Sequence, residues 1–423
     1  MYSNEIILVY PEPMQKKHKR FGFSLNIAYI SALLKKNGFK TTIYDFSNDD
    51  LAYEDLINHL NNSPKSIIAV EFDSFALARD ENYENGLNLI AELKKLFPEC
   101  YLVSFGYDCV ILQEDIQGSD ATIKNDIIKE VCRKIFTIVQ KNESIELIYD
   151  ELPFPDREGF QRIDFFNRNH YSTLIQTSTG CNNTCTFCQR KGWQHDRYEH
   201  SLDYIKSEFE LLSNRGYKNI WVSDENFTFN LSRAKKILRM LIDTQLTRNM
   251  KLAISSWSKI DYEFIDLAQK SNVKIISMGI ESANLEVLSF YKKNIDLNHV
   301  RDIISYADSL GIYMVGNFII GAPMETKQMI VNTFNYIDSL NLDQVNIKVL
   351  DYMIGSDLYS NLPLEMKSKH HYFCCKENGL GLIEIDELIK MKKEFIKNYI
   401  SNNSNRLKKK IERFGTPYFV MKK

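Results

Sequence analysis

Three cysteines lie within eight residues of this sequence: Cys181, Cys185 and Cys188. A spacing of three and then two residues lets three thiolates face one centre from a tight loop, and Gly180 tolerates the backbone angles that such a loop needs. Thiolates are soft ligands that suit iron–sulfur clusters or zinc. Three protein ligands on a four-iron cluster would leave one iron open to a small molecule, whereas a structural zinc site needs a closing fourth ligand. The spacing therefore favours an open iron–sulfur cluster.

Three other interpretations of this loop stay open. A zinc site would have to use His195, the nearest candidate fourth ligand, although the paired ligands of a zinc finger are missing. A redox pair at Cys185 and Cys188 would leave a third thiol unexplained, and chance clustering is a weaker explanation still. The other cysteines are scattered, apart from the neighbours Cys374 and Cys375, which we predict to be packing residues because adjacent strand side chains point to opposite faces.

Composition limits the class of protein. The chain of 423 residues has room for two domains and a small third piece. Its apolar fraction of 44% supports buried cores, and its formal net charge of −2 gives no electrostatic case for binding nucleic acid. The apolar runs are too short to cross a membrane, and the first residues lack the features of an export signal. We expect a cytoplasmic protein with cysteines that are thiols or metal ligands.

The first part of the chain alternates short apolar runs with helical patterns. Strands are predicted at 5–10, 40–46, 66–72 and 100–105, and helices at 24–37, 51–61 and 83–97. This alternation predicts a doubly wound parallel sheet of the Rossmann type, whose ligands lie at the carboxyl ends of the strands. Those ends carry the segments Pro11–Pro13, Asp73–Ser74 and Gly106–Tyr107.

A proline-bearing linker is predicted at 140–170, after which the pattern restarts. Six strands are predicted at 172–177, 219–223, 252–256, 274–279, 313–320 and 344–350, with helices between them. Such a run suits a partial (β/α)6 barrel with its active site at the carboxyl ends of the strands, and the cysteine loop follows the first of these strands. In the tail, 406–413 is predicted to be a solvated helix face. The predicted division is therefore 1–139, 140–170, 171–355 and 356–423.

Four segments in order resemble the radical S-adenosylmethionine (SAM) superfamily. The sequence CNNTCTFC at 181–188 is similar to the family's CxxxCxxC signature, and Phe187 matches the usual aromatic residue before the last cysteine. The segments 220–229, 278–282 and 315–325 resemble those at the second, fourth and fifth strands of the family. The similarity covers roughly residues 170–350.

The resemblance implies cofactors and site residues. A 4Fe–4S cluster would be held by Cys181, Cys185 and Cys188, and SAM would chelate its open iron. Asp224, Glu225 and Asn226 lie where the family approaches the SAM amino group, and Glu281 and Ser282 lie where it holds the ribose. Two structural alternatives accompany these assignments: residues 224–226 could cap the start of a helix, and Glu281 could form an ion pair.

The segment 22–45 resembles the start of the cobalamin-binding domain that precedes many radical SAM barrels. That family usually has two glycines after the fourth strand, where this chain has Gly106 followed by Tyr107. The resemblance implies that cobalamin could bind here; alternatively, the domain is a relict that covers the barrel mouth. No Asp-x-His-x-x-Gly motif is present in the sequence, which is usual in this branch.

The function implied is reductive cleavage of SAM to a 5′-deoxyadenosyl radical, followed by cobalamin-dependent C-methylation of a natural-product or peptide substrate. One alternative is a cobalamin-independent rearrangement, epimerisation, dehydrogenation or cyclisation. Another is a non-catalytic iron–sulfur protein. The expected partners are a small-molecule or peptide substrate and an electron donor such as flavodoxin or ferredoxin; neither nucleic acid nor a membrane is expected.

Overall fold

The structure, a computed structural model, describes residues 4–11, 23–46, 52–73, 79–139, 149–160, 173–181, 183–190 and 198–417. Several positions singled out above lie outside these ranges, namely Pro13, Ser74, Asn182, His195, and the parts 140–148 and 161–170 of the predicted linker. The chain divides into two units, residues 1–174 and 175–423. The finer four-part division stays a prediction.

The first unit is a five-stranded parallel sheet with helices between its strands. Its described elements, in chain order, are β1 (Glu5–Tyr10), α1 (Leu25–Lys36), β2 (Lys40–Asp45), α2 (Ala52–Asn62), β3 (Ile67–Glu71), α3 (Arg79–Leu96), β4 (Tyr101–Phe105), α4 (Tyr107–Leu112), β5 (Ala121–Thr122) and α5 (Ile127–Ile138). The strand order β2-β1-β3-β4-β5 confirms the predicted doubly wound sheet. From β1, the chain adds β2 on one side of the sheet and β3 to β5 on the other. The boundary between β1 and β3 is where sheets of this kind bind their ligands.

The second unit is built on a six-stranded sheet with the order β13-β12-β11-β10-β9-β6. Its strands are β6 (Thr173–Ile175), where the two units meet in the chain, β9 (Asn219–Val222), β10 (Lys251–Trp257), β11 (Val273–Glu281), β12 (Tyr313–Ile320) and β13 (Gln344–Val349). The short pairs β7 (Ser178–Thr179) with β8 (Tyr198–Glu199), and β14 (Asp351–Met353) with β15 (His371–Phe373), lie outside this sheet. Six strands in sequential order confirm the predicted partial barrel.

Helices follow the strands of the second unit. They are α6 (Leu202–Asn214), α7 (Leu231–Thr244), α8 (Tyr262–Lys270), α9 (Leu285–Phe290), α10 (Leu297–Ser309), α11 (Lys327–Asp338), α12 (Asp357–Ser360) and α13 (Ile385–Phe414). Side-chain oxygens cap several of their first turns: Ser201 accepts from the amide of Tyr204, and Asn230 from that of Arg233. Because Asn230 caps α7, the alternative that residues 224–226 begin a helix is wrong.

The inner and outer faces of the six-stranded sheet differ in chemistry. Buried apolar side chains such as Ile254, Ile276 and Phe318 pack against the helices in the main core. The side chains between them belong to the concave inner face, which begins near the amino ends of the strands with Ala253, Ile275 and Tyr313. Leu407 and Ile411 of α13 pack against these three residues.

Helix α13 is held to the amino ends of the strands by charge as well as by apolar contact. Lys410 is buried, and its Nζ lies 2.6 Å from Asp308 Oδ1 and 2.7 Å from Asp343 Oδ2. The Arg406 guanidinium approaches the same two carboxylates. The expectation of a solvated face at 406–413 is therefore wrong for these two positions, since a buried ammonium needs carboxylate partners within the fold.

Candidate active site

The cysteine loop begins just after β6 and β7, at the carboxyl end of the sheet of the second unit. Gly180 has a φ of 80°, a left-handed conformation that glycine adopts without steric strain. The amide of Cys188 donates to the carbonyl of Cys185 at 3.1 Å, which closes a turn. Cys185 is buried, whereas Cys181 and Cys188 are partly exposed. The chain thus turns back on itself between the second and third cysteines.

The middle of this loop is fastened to two other elements. Thr186 donates from its hydroxyl to the carbonyl of Phe290 at 3.0 Å, and the amide of Leu358 donates to the carbonyl of Thr186 at 3.1 Å. The Phe187 ring packs edge-on against Tyr291, with ring centroids 5.0 Å apart. The loop is therefore positioned by the end of α9 and the start of α12.

The thiols have the donor chemistry of an iron–sulfur site. Burial raises the pKa of Cys185 to about 11 and also raises that of Cys188, while Lys293 and Arg190 act against these shifts. Metal binding requires the thiolate form, so assembly would release protons here. Among the described side chains, no three His, Cys, Asp or Glu groups converge on a point that one metal ion could occupy. Since the ligands of a four-iron cluster bind different irons, they need no common point, and three thiols on one short loop fit such a cluster.

Asp224, which follows β9, holds the strand that leads into the cysteine loop. Its Oδ1 accepts from the amide of Thr177 at 2.6 Å. Its Oδ2 accepts from the hydroxyls of Thr177 at 2.5 Å and Ser178 at 2.7 Å. Arg233 reaches the same strand, donating to the carbonyl of Thr177 at 2.7 Å. Burial raises the pKa of Asp224 to about 6, against these hydrogen bonds. Both carboxylate oxygens are therefore engaged in fixing residues 177–178.

The next two residues contact the loop itself. Glu225 Oε2 accepts from the amide of Gly180 at 2.9 Å. Asn226 Nδ2 lies 3.9 Å from the sulfur of Cys181, while its Oδ1 accepts from the amide and hydroxyl of Thr228. The three neighbours predicted from the sequence are thus brought together beside the first cysteine. A contact between them and the SAM amino group stays a prediction.

Glu281 ends β11 in a left-handed conformation, with a φ of 68° at a β-bulge. Its Oε1 lies 2.9 Å from Lys293 Nζ, and both side chains are buried. Lys293 also lies 5.3 Å from the centre of the Trp257 ring. A Cβ on Gly279 would lie only 2.6 Å from Glu281 Oε1, so a larger residue at this position would displace the Glu281 carboxylate. The ion-pair alternative for Glu281 is confirmed, and ribose contact stays a prediction.

Ser282 is fully buried and serves the local fold. Its Oγ accepts from the amide of Asn284 at 3.1 Å and lies 3.3 Å from Thr333 Oγ1 on α11. These contacts tie the start of α9 to α11. The predicted ribose contact of Ser282 also stays a prediction.

Several buried polar atoms around these strand ends lack a partner in the part of the chain that the structure describes. They are Ser256 Oγ, Trp257 Nε1, Ser258 Oγ, Tyr291 OH and Glu325 Oε1. Glu325 Oε2 accepts from the amides of Gly321 and Ala322, and burial raises the pKa of this carboxyl group to about 7. Because buried polar groups are normally paired, such a concentration at one end of a sheet is typical of a ligand site.

The sequence analysis missed Lys293 and Arg233 as site residues. Each lies in or beside a helix, where a basic residue normally faces solvent. The sequence offered one indication for each: Glu281 is the acidic partner of Lys293, and Glu199 is the acidic partner of Arg233. Cys374 and Cys375 are both buried, as expected of packing residues, and the Cys374 thiol donates to the carbonyl of Leu380. The assumption that they lie on a strand is wrong, because β15 ends at Phe373.

In the first unit, Gly106 lies between β4 and α4 with a φ of 119°, and Tyr107 is the first residue of α4. A Cβ on Gly106 would collide with the backbone of Phe72, which follows β3. The close approach of Phe72 therefore explains why this position is a glycine, and no bound ligand is needed to explain it. Beside it, the Tyr10 hydroxyl donates to the carbonyl of Asp73 at 3.1 Å, joining the ends of β1 and β3.

Comparison with known sequences finds a family that is similar to part of the second unit. The family described as Radical SAM superfamily matches residues 175–337. A cytidylyl-2-hydroxyethylphosphonate methyltransferase of Streptomyces wedmorensis is 25% identical over 227 residues, which cover 49% of this chain and 42% of that protein. An uncharacterized methyltransferase of Pyrococcus horikoshii is 25% identical over 246 residues, covering 52% of each chain. The match thus spans about half the length of these relatives.

Solved structures share the fold at low sequence identity. The radical SAM methyltransferase TsrM from Kitasatospora setae, with cobalamin and a [4Fe–4S] cluster bound, has a TM-score of 0.69 at 15% identity; the match covers 84% of this chain and 77% of TsrM. The cobalamin-dependent radical SAM enzyme OxsB, with aqua-cobalamin and SAM bound, has a TM-score of 0.72 at 13% identity. The match covers 94% of this chain and 67% of OxsB. A search of the described helices finds none that is long and apolar enough to span a membrane.

Proposed function

We propose that this chain, of which residues 175–337 match the Radical SAM superfamily, is a radical SAM methyltransferase that uses cobalamin to methylate carbon in a small molecule or peptide. The observation that carries this proposal is the anchored loop of three cysteines at the carboxyl end of the sheet, within the matched domain. An electron donor such as flavodoxin or ferredoxin is part of the proposal. A cytoplasmic location stays a prediction.

Cys181, Cys185 and Cys188 would hold a 4Fe–4S cluster, and we propose that unpaired polar atoms near the strand ends, such as Ser258 Oγ and Tyr291 OH, pair with SAM. When bound, the cluster and SAM together supply a strongly oxidising carbon radical that the protein's own side chains cannot provide. The chain's contribution is to position and shield these groups. Asp224 and Arg233 fix the strand before the loop, and the edge-on contact of Phe187 with Tyr291 covers one side of it.

The buried pair of Glu281 and Lys293 gives this region fixed charges. Lys293 acts on the thiol of Cys185 and favours its thiolate form, while Glu281 keeps the ammonium in place. Because buried charges are screened weakly, such a pair has a larger effect on a nearby ligand than an exposed pair would. We propose that the pair orients polar groups of SAM through hydrogen bonds, in keeping with the predicted role of Glu281.

The cobalamin part of the proposal has separate support. The sheet of the first unit has its switch point between β1 and β3, where doubly wound folds bind ligands. The solved structures of TsrM and OxsB, which share the fold, are described with cobalamin bound. We propose that the segments after β1, β3 and β4, including Gly106 and Tyr107, contribute to this site.

A second candidate is a radical SAM enzyme that works without cobalamin. The packing of Gly106 against the backbone of Phe72 favours it, because that glycine then needs no cofactor to explain it. The product of the second candidate would be a rearranged, epimerised, dehydrogenated or cyclised substrate.

Anaerobic reconstitution with iron, sulfide and hydroxocobalamin tests these assignments. We expect four irons and one cobalt per chain, and release of 5′-deoxyadenosine and S-adenosylhomocysteine after reduction in the presence of SAM. The variant with Cys181, Cys185 and Cys188 changed to Ala should lose the iron and both products, whereas the control Cys375→Ala should keep them. Iron and deoxyadenosine without cobalt would establish the second candidate. Iron without SAM cleavage would leave only a structural iron–sulfur protein.

A further inference from the structure

We propose that the concave face formed by β10 to β13 binds a small polar substrate that carries an anionic group, and that Lys348 and Trp257 recognise that group. This inference rests on the proposed function, because it names the substrate class of the same site. We call this surface the inner cup and define it by the concave-face residues of four strands: Ser255, Trp257, Ser277, Gly279, Val315, Asn317, Ile319, Gln344, Asn346 and Lys348.

The inner cup has an apolar floor. Ala253, Ile275 and Tyr313 form the lowest row of the concave face, and Leu407 and Ile411 of α13 pack against them. The next rows begin two residues further along each strand, about 7 Å higher. Helix α13 therefore closes the amino-terminal end of the sheet, and the space above the floor faces the carboxyl end and the cysteine loop.

Above the floor the wall is polar. Asn317 Nδ2 on β12 donates to Ser277 Oγ on β11 at 2.9 Å, and Asn346 Nδ2 on β13 donates to Asn317 Oδ1 at 3.0 Å. Gln344 continues this chain, donating to Asn346 Oδ1 at 2.9 Å. This chain of amide and hydroxyl groups across three neighbouring strands is a poor surface for an apolar ligand, because such a ligand would remove polar groups from water without pairing them.

Two donors of the inner cup have no partner. Lys348 Nζ makes no hydrogen bond or ion pair with any described residue, and Trp257 Nε1 is buried and unpaired within the same ranges. An ammonium and an indole N–H can only donate, so both require acceptor atoms. A ligand that satisfies them must bring oxygen acceptors, and a carboxylate, phosphate or phosphonate is the class that also matches the ammonium charge.

Lys348 lines a concavity and does not stand on an open surface. Its side chain is solvent-exposed, yet burial by the surrounding protein lowers its pKa. An ammonium group can be accessible to solvent and still have its pKa lowered by burial when protein atoms surround it on most sides, as they do in a concavity. An anion near Lys348 Nζ would act against this lowering of the pKa.

The charges near Lys348 leave it uncompensated. The nearby carboxylates are Glu281, already paired with Lys293 at 2.9 Å, and Asp351, which lies 3.1 Å from His371. The other groups that act on Lys348 are the cations Arg190 and Lys392. Because both nearby carboxylates already have cationic partners, an anionic group of a ligand is the partner that would match the Lys348 charge.

Inorganic phosphate is the probe that tests this assignment, titrated calorimetrically into the reconstituted full-length protein at constant ionic strength. We expect saturable binding with one site per chain. Lys348→Gln should weaken this binding at least tenfold, and Trp257→Phe should weaken it by a smaller factor. The matched control is Lys236→Gln, an exposed lysine on α7, which should bind phosphate as the wild type does.

Three results would overturn the proposal: no phosphate binding by the wild type, unchanged binding by Lys348→Gln, or equal losses in Lys348→Gln and Lys236→Gln. Melting temperatures of the variants separate loss of binding from loss of fold. Deoxyadenosine formation by the wild type, measured without added substrate, tests the proposed function independently. If phosphate binds through Lys348 while SAM stays intact, the anion site stands and the enzymatic assignment fails.

Discussion

At the scale of single residues, the spacing of the three cysteines was readable because it is local. Three thiols within eight residues must share a loop, whatever the rest of the fold does. The contact between Glu281 and Lys293 could not be foreseen in the same way, because it depends on a β-bulge and a left-handed backbone at Glu281. The role of Asp224 was likewise hidden, since its partners Thr177 and Ser178 lie more than 40 residues earlier in the chain.

Replacing Asp224 with Asn should disturb the entry to the cysteine loop. The amide can accept only through one oxygen, so at least one of the three donors on Thr177 and Ser178 loses its partner in a buried place. We expect a loss of about 2–3 kcal/mol in the free energy of unfolding, together with reduced iron incorporation. Denaturant titration and iron analysis measure these effects.

The control for that change is Asp243→Asn, at an exposed position near the end of α7. It should leave both iron content and stability as in the wild type. Full iron loading and wild-type stability in Asp224→Asn would refute the anchoring role.

Replacing Glu325 with Gln should change how stability depends on pH. Burial raises the pKa of this carboxyl group from 4.5 to about 7, so the folded protein binds the proton more tightly than the unfolded chain does. The resulting stabilisation is present in full below about pH 4.5 and is lost as the pH rises through about 7, and its size is about 3 kcal/mol. Wild-type stability should therefore fall between pH 5 and 8 relative to Glu325→Gln, because a neutral amide still accepts from Gly321 and Ala322.

Thermal unfolding across this pH range provides the measurement. Glu365→Gln, at an exposed position, serves as the matched control and should follow the wild-type profile. Parallel profiles for the wild type and Glu325→Gln would mean that the carboxyl group titrates normally.

At the scale of elements, the alternation of strands and helices could be predicted, and the long final helix could not be placed. Ser24 and Asn37 mark the ends of α1 by their capping chemistry, and the helix predicted at 24–37 forms between them. Helix α13 carries a basic stretch that resembles many exposed helices. Its attachment depends on Asp308, near the end of α10, and Asp343, just before β13, both far away in the sequence.

Replacing Lys410 with Ala should loosen α13 from the sheet. The change leaves the buried carboxylate of Asp343 without its ammonium partner and removes a hydrogen bond to the carbonyl of Ile312. Because Arg406 still approaches this carboxylate, breaking the buried ion pair should lower the free energy of unfolding by about 3 kcal/mol, the low end of the usual range. Lys409→Ala, an exposed neighbour on the same helix, should change it by less than about 0.5 kcal/mol. Similar midpoints of urea unfolding for the two variants would contradict the burial of Lys410.

At the scale of the whole molecule, sheet order followed from the sequence because consecutive strand–helix units form parallel sheets with few allowed topologies. The residues that line the inner cup could not be predicted from the sequence. Strand periodicity alone does not show which face of each strand points inward or which end of the barrel a helix covers. Each of the two units has a hydrophobic core of its own.

Removing iron with a chelator should therefore have a confined effect. Hydrogen exchange should increase in the loop 181–190, where the proposed cluster ligands lie, and stay unchanged in β6, whose neighbourhood is fixed through Asp224 and Arg233. The central strands β1 and β3 of the first unit should keep their protection as well. Mass spectrometry of the reconstituted and chelated forms measures this. Faster exchange in β1 and β3 would show that the cluster supports the whole chain.

The carboxylate bonds that fix residues 177–178 bear on how such a protein survives air. Oxygen attacks exposed iron–sulfur centres, and a loop that collapsed after each loss would have to refold before new iron could be inserted. Here the approach to the first cysteine is held by Asp224 and Arg233, and the segment between the later two is fastened through Thr186, all by contacts between protein atoms. For the proposed cluster we therefore expect repair in place, with recovery after exposure limited by the supply of iron and sulfide.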